Sequence, residues 1–276
     1  MTVDLESALT RAVIPDEDDR PPLASRLVKR TRVLFVLLAT VLLWAFVTRA
    51  FEIRRFILPG PELVIERFFD SPEYILGEFW FTVAEAAIGF GVAATLGIVL
   101  AVILSRSALL EELIFPYLNI IRVTPSIAIA PLLVVWFGHS PIPHIIVATT
   151  IAFFPIVVTM MLGLRSADPE LINLMRTLNA SESMIFRKIR WPNALPYLFA
   201  SFRISAPLAV IGVLVGQFAG GTGGMGNVLI VSRSNLDTPM SFLMVALSCV
   251  LGIAFYGIVV LLERRFIRWH PSSHLD

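Results

Sequence analysis

"FLMVALSCVLGIAFYGIVVLL", residues 242–262, runs for twenty-one positions without a charge. A helix needs about 20 mostly apolar residues to cross the hydrocarbon core of a bilayer, so this stretch has spanning length by itself. Backbone polar groups find no water there, so the stretch must be helical. "VLFVLLATVLLWAFV" (33–47) and "GFGVAATLGIVLAVIL" (89–104) are equally bare of charge. The whole chain agrees: apolar residues make up 57% of 276 and charged residues 16%, with mean hydropathy +0.80. Soluble domains average about 45–50% apolar and about 25% charged, which excludes an ordinary soluble domain.

Working outward, the chain reads as six spans, at 32–51, 79–104, 113–137, 142–164, 197–219 and 240–262. The expected fold is an all-α, polytopic membrane protein with six transmembrane helices. Pro116, Pro125 and Pro131 each remove a backbone donor from the third span, which is expected to be irregular. The five tryptophans fall near span ends, where indole rings favour the interface. With the N-terminus inside, 15 of the 22 basic residues lie on the cytoplasmic side, in the bacterial inner membrane, with both termini cytoplasmic. Residues 1–31, with "PDEDDRPP", read as a disordered cytoplasmic tail and not as a cleavable signal. A first transmembrane segment at 32–56, a core at 57–270 and a short tail at 271–276 complete the expected organisation.

The loop at 165–196 interrupts this pattern with "LMRTLNASESMIFRKIRWPNALP" (174–196). Asp168 followed by Pro169 is a helix start, and that helix is predicted to run to about Leu178. Asn179 stands where the chain must turn and tolerates left-handed φ. Ser181 is expected to cap a second helix, "ESMIFRKIR", stopped by Pro192, with Ile185, Phe186 and Ile189 on one apolar face. Such a helix suits either an anionic lipid surface or a groove on another protein.

The segment resembles the coupling loop of binding-protein-dependent ABC importer permeases. That loop reads Glu-Ala-Ala, three residues, Gly, about nine residues, then Ile-x-x-Pro. Leu178, Ala180, Ser181, Phe186, Ile189, Pro192 and Pro196 stand at the family's positions. Asn173, Leu174 and Met175 replace the Glu-Ala-Ala, and Asn179 replaces the glycine. "TPSIAIAPLLVVWFG" (124–138), "FFPIVVTMMLGLRSADPELI" (153–172) and residues 237–270 look like the permeases for nitrate, sulfonate, taurine and thiamine precursors. "TVAEAAIGF" (82–90) looks nearest to those for pyrimidine precursors, the alternative being a sulfonate, taurine or nitrate permease. The resemblance implies a type I importer fold and no catalytic residue. It further implies a second copy or near copy of the permease, an extracytoplasmic solute-binding protein, and partner ATPase subunits that hold ATP and Mg. Asn179, Ala180, Ser181, Ile185, Phe186, Ile189 and Pro192 would then couple the pathway to the ATPase.

No P-loop G-x-x-x-x-G-K-[ST] occurs, so nucleotide must be handled by a partner; no metal, cofactor or nucleic-acid partner is implied for the chain itself. "GTGGMG" (221–226) fits a dinucleotide fingerprint by letter only. It follows a membrane helix and is expected to be a flexible outer loop, as His139 and His144 are expected to be ordinary loop histidines. Charges within spans face a partner or a wet cavity. Glu85, Arg122, Thr124, Ser126, Ser205 and Gln217 are therefore candidates for lining a pathway, the other reading of Arg122 being a buried pair or a bond to freed carbonyls. An intramembrane protease would need its histidines at membrane depth, and an ion-driven transporter more intramembrane carboxylates than Glu85 alone.

Overall fold

The computed structural model describes residues 23–221 and 223–267 and divides the chain into two units that meet at Arg54 and Arg55. The first contains helix α1, Leu23–Ala50. It begins inside the stretch expected to be a tail, because residues 23–31 hold no proline or glycine to stop a helix running out of the apolar segment. The acidic part of that tail, and residues 271–276, lie outside the described residues.

The second unit is all helix: α2 Pro61–Asp70, α3 Pro72–Arg106, α4 Ala108–Val123, α5 Ser126–Phe137, α6 Pro141–Arg165 and α7 Pro169–Thr177 come first. A short α8, Glu182–Ile185, leads through a π turn at Phe186–Arg190 into α9, Trp191–Ala219; α10, Met225–Ser234, and α11, Thr238–Phe266, complete it. Among the described residues four helices are long and apolar enough to cross a membrane, and α4 with α5 makes a fifth if the pair is one crossing. The expected first span falls on α1, whose described apolar part is Phe35–Ala50.

The third span is not a single helix. α4 and α5 meet at 92°. Pro125 has no N–H to donate, and its ring drives Thr124 out of the helical region to ψ 125°. Pro116 and Pro131, by contrast, remain within α4 and α5. Pro192 does not stop its helix either: Glu182–Ala219 continues as one 38-residue apolar helix. The π turn just before it, where the Trp191 N–H donates to the Phe186 carbonyl, widens the backbone where a proline would clash.

α6 is the central helix, packed closely by α9 on one side and α3 on the other. Ile156, Met160 and Leu164 of α6 are fully buried with Ala93, Ala101 and Leu104 of α3 and Ala194 and Ala209 of α9. Lipid tails are as apolar as leucine, so the drive to pack comes from close backbone approach. A Cβ built on Gly212 of α9 would lie 2.5 Å from the Ala148 Cα, and one on Gly216 2.7 Å from the His144 Cα. α11 lies along α9, held by Arg203 and Glu263 at 2.6 Å and by Phe199, Phe202 and Phe266 in ring contact. Most of its remaining surface is exposed and apolar, including Val250, Ile253 and Leu261.

Candidate functional site

At one end of the unit, the loop between α6 and α9 forms a helical hairpin. The Asp168 side chain accepts from the Glu170 N–H at 2.8 Å, and Ser181 Oγ accepts from the Met184 N–H at 3.3 Å, so both helix starts are capped. Between them Asn179 takes φ 55°, the conformation that suits asparagine and glycine. Arg176 reaches across to Glu182 at 3.0 Å. The exposed ion pair links the two arms of the hairpin and contributes little stability. Asn179→Gly is expected to leave thermal stability unchanged, whereas Asn179→Val should cost about 1–2 kcal/mol in a detergent melt, since a branched Cβ opposes left-handed φ.

The apolar face expected on the second helix points inward. Ile185 is fully buried, and Phe186 packs with Trp191 against the α3–α6–α9 core under the Arg106 guanidinium, 5.3 Å from its ring centroid. Ile189 is half-buried and Ala180 borders the hairpin turn, where its N–H donates to the Met175 carbonyl. The outward apolar residues are instead Leu171, Leu174 and Leu178, with Met184 beside them. The sequence reading named Leu174 and Leu178 only by their places in the motif and read none of the three leucines as an outward face. Their i, i+3 and i+7 spacing was the available signal, beside a second apolar pair, Ile172 and Met175, which is half-buried. Below the hairpin, Arg165 pairs with Glu111 at 2.6 Å and donates to the Leu104 carbonyl, and Asn193 Nδ2 donates to the Gly163 carbonyl at 3.0 Å.

At the opposite end of α6 lies a buried polar network. Glu85 is 3% exposed; its carboxylate meets His144 Nδ1 at 2.9 Å and accepts from Gln217 Nε2 at 2.8 Å. Gln217 Oε1 accepts from the Gly226 N–H at 2.8 Å, Thr82 Oγ1 accepts from the Met225 N–H at 2.9 Å, and the Gly224 N–H donates to Glu78. His144 Nε2 stands 3.2 Å from the Gly220 carbonyl. Glycine is required along this loop: a Cβ on Gly221 would strike the His144 ring at 2.5 Å. Among the described residues, where a flexible loop was expected, Gly220, Gly221 and residues 224–226 are held by side chains of α3, α6 and α9. His144 is not a loop histidine but a buried partner of Glu85. The signal was depth: Glu85 and His144 sit near the same end of the second and fourth expected spans.

The six candidate lining residues separate accordingly. Glu85 and Gln217 belong to the network, because a buried carboxylate is held where donors surround it. Ser205 is fully buried in α9, and Thr124 Oγ1 donates back to the Ile120 carbonyl at 2.6 Å. Arg122 and Ser126, on either side of the α4–α5 break, share a cavity of about 470 Å³ with Thr150, Phe154 and Thr159 of α6 and Ile204 of α9. The Arg122 guanidinium lies 4.7 Å from the Phe154 ring centroid, and among the described residues no carboxylate pairs with it.

Residues 93–268 match the family described as "Binding-protein-dependent transport system inner membrane component". The riboflavin transport system permease protein RibX of Chloroflexus aurantiacus is 32% identical over 79% of this chain and 82% of its own. The formylaminopyrimidine transport permease protein ThiX of Halalkalibacterium halodurans is 30% identical over 79% of this chain and 88% of its own. Among solved structures, an inward-facing form of the MetNI methionine ABC transporter shares the fold, at TM-score 0.57 and 22% identity over 69% of this chain and 96% of that one. A match across most of the helical unit establishes that this chain belongs to the binding-protein-dependent ABC importer permeases: multi-pass membrane subunits that are not themselves enzymes and that work with a separate ATPase and a substrate-binding protein.

Proposed function

We propose that this permease imports a small polar heterocycle of the pyrimidine type along a pathway formed by two copies of the chain. In this reading both termini and the 165–196 loop face the cytoplasm, and the loop docks onto the ATPase. Support for the solute comes from the riboflavin and formylaminopyrimidine permeases, both of which serve ring compounds. Support for the coupling role comes chiefly from the hairpin. It is stiff, and it presents Leu171, Leu174 and Leu178 outward while Ile185 and Phe186 root it in the core.

A lever needs those two properties. Asn179, Ala180 and Ser181 shape the turn; Ile185, Phe186 and Ile189 join it to the bundle; and Pro192 follows the π turn through which α8 becomes α9. A push on the leucines by nucleotide-driven ATPase closure is therefore passed straight into a 38-residue helix.

Changing Leu174 and Leu178 together to Asp is expected to reduce co-purified ATPase about tenfold or more, since an apolar patch carries most of such an interface. Both residues are exposed, so the permease itself should elute unchanged from a sizing column. Recovery of a full complement of ATPase with the double variant would refute the docking role. For the solute, uptake of a labelled aminopyrimidine into proteoliposomes is expected; uptake of taurine in its place would refute the heterocycle assignment.

A further inference from the structure

We infer that the cavity at the α4–α5 break is a charge-selective solute site, taking planar anionic or neutral acceptor-bearing molecules and rejecting cations, with Arg122 as the selecting residue. It rests on the pathway reading above for its role in transport, but its chemistry follows from the local arrangement. Arg122 is the penultimate residue of α4, placed one turn short of the break that Pro125 imposes. The turn of 92° carries α5 away, and Arg122 lies exposed at the bend, where it lines the cavity together with Ser126.

A bare charge at membrane depth is unfavourable unless it faces water, a partner or a ligand. Here the walls are Ile204, Phe154 and other apolar side chains, and the stack on Phe154 offers only a weak compensation for the charge. Arg122 is exposed on this cavity, which opens to the surface, and its positive charge repels a second cation entering beside it. The guanidinium carbon lies over the Phe154 ring, and the N–H groups, which no carboxylate among the described residues engages, are left to a ligand. Ser126 and Thr159 add hydroxyl donors, while the Thr150 hydroxyl already donates to the Ile146 carbonyl at 2.8 Å and can only accept. Flat geometry with acceptors at the edge satisfies this set. At about 470 Å³ the space admits a ring-sized solute.

Three probes of equal size and plane separate the charge states: benzoate, benzamide and benzamidinium, tested by saturation-transfer NMR on the full chain in nanodiscs. Benzoate and benzamide are expected to bind, and benzamidinium at least about tenfold more weakly. With Arg122→Gln the preference for benzoate over benzamidinium should shrink to within about twofold, whereas Arg122→Lys should keep the preference and weaken benzamide, having lost the plane. Equal binding of benzamidinium and benzoate by the unaltered chain, or a preference that survives Arg122→Gln, overturns the site. Uptake measured in parallel separates this from the pathway reading. Charge-selective binding with uptake untouched by Arg122→Gln upholds the site and refutes its place in the pathway, and absence of selectivity overturns the site whatever uptake does.

Discussion

Gly212→Ala is expected to lower the thermal stability of the detergent-purified permease sharply, although it adds a single methyl group. The added Cβ would meet the Ala148 Cα at 2.5 Å and the Ala148 backbone nitrogen at 3.0 Å. Backbone cannot rotate aside as a side chain can, so α6 and α9 must separate along the contact that organises the bundle. Overpacking of this kind typically costs about 1–3 kcal/mol, and the steep part of the repulsion places Gly212 toward the upper end. Gly216→Ala, 2.7 Å from the His144 Cα, should follow closely. The control is Gly91→Ala in α3, where nothing lies within 4 Å. There the methyl only improves helix propensity, by up to about 1 kcal/mol. A melt followed by tryptophan fluorescence should show Gly212→Ala well below the parent and Gly91→Ala at or above it. Equal midpoints for the two variants would mean that α6 and α9 do not approach as described.

Gln217→Leu should have the second large effect, through chemistry and not volume. The substitution keeps the size of the side chain but strips the Glu85 carboxylate of one donor and the Gly226 N–H of its acceptor, both in buried surroundings. Each orphaned group costs about 1–3 kcal/mol, more for the charged one. The consequence should be local as well as global: the amides of Gly226 and Met225 lose protection in hydrogen exchange, while those of α7 at the far end do not change. A double-variant cycle is the sharper check. Adding Glu85→Leu to Gln217→Leu should restore part of the lost stability, because a carboxylate without donors is worse than none. Strict additivity of the two changes would show that the network does not act as a unit.

Much of this architecture can be read directly from residue order. Uncharged runs as long as a bilayer is thick must be helices, and their positions in the structure follow the apolar boundaries closely. Local chemistry likewise placed the hairpin: Asp168 before Pro169, Asn179 at the turn and Ser181 at the next start all act through neighbours one to three residues away. The prolines were harder to read. Pro125 broke a helix while Pro116, Pro131, Pro155, Pro196 and Pro207 did not, since surrounding packing decides whether a missing hydrogen bond is tolerated.

Which polar residues met each other was beyond local reading. Glu85, His144 and Gln217 lie 59 or more positions apart, and only the close approach of α3, α6 and α9 brings them together. The same holds for Ile185 and Phe186, whose apolar side turned to the core, and for Leu174 and Leu178, which were left outside. Amphipathicity says that a helix has two faces; which one is covered depends on the direction in which its neighbours hold it. Residue order thus determined which stretches are helical and the kind of solvent they inhabit, because those depend on transfer from water and on nearest neighbours. The tertiary structure decided which polar residues met, the placement of Arg122 over Phe154 and which leucines stayed outside, because pairing across helices depends on backbone approach at glycine and on a bend at one proline.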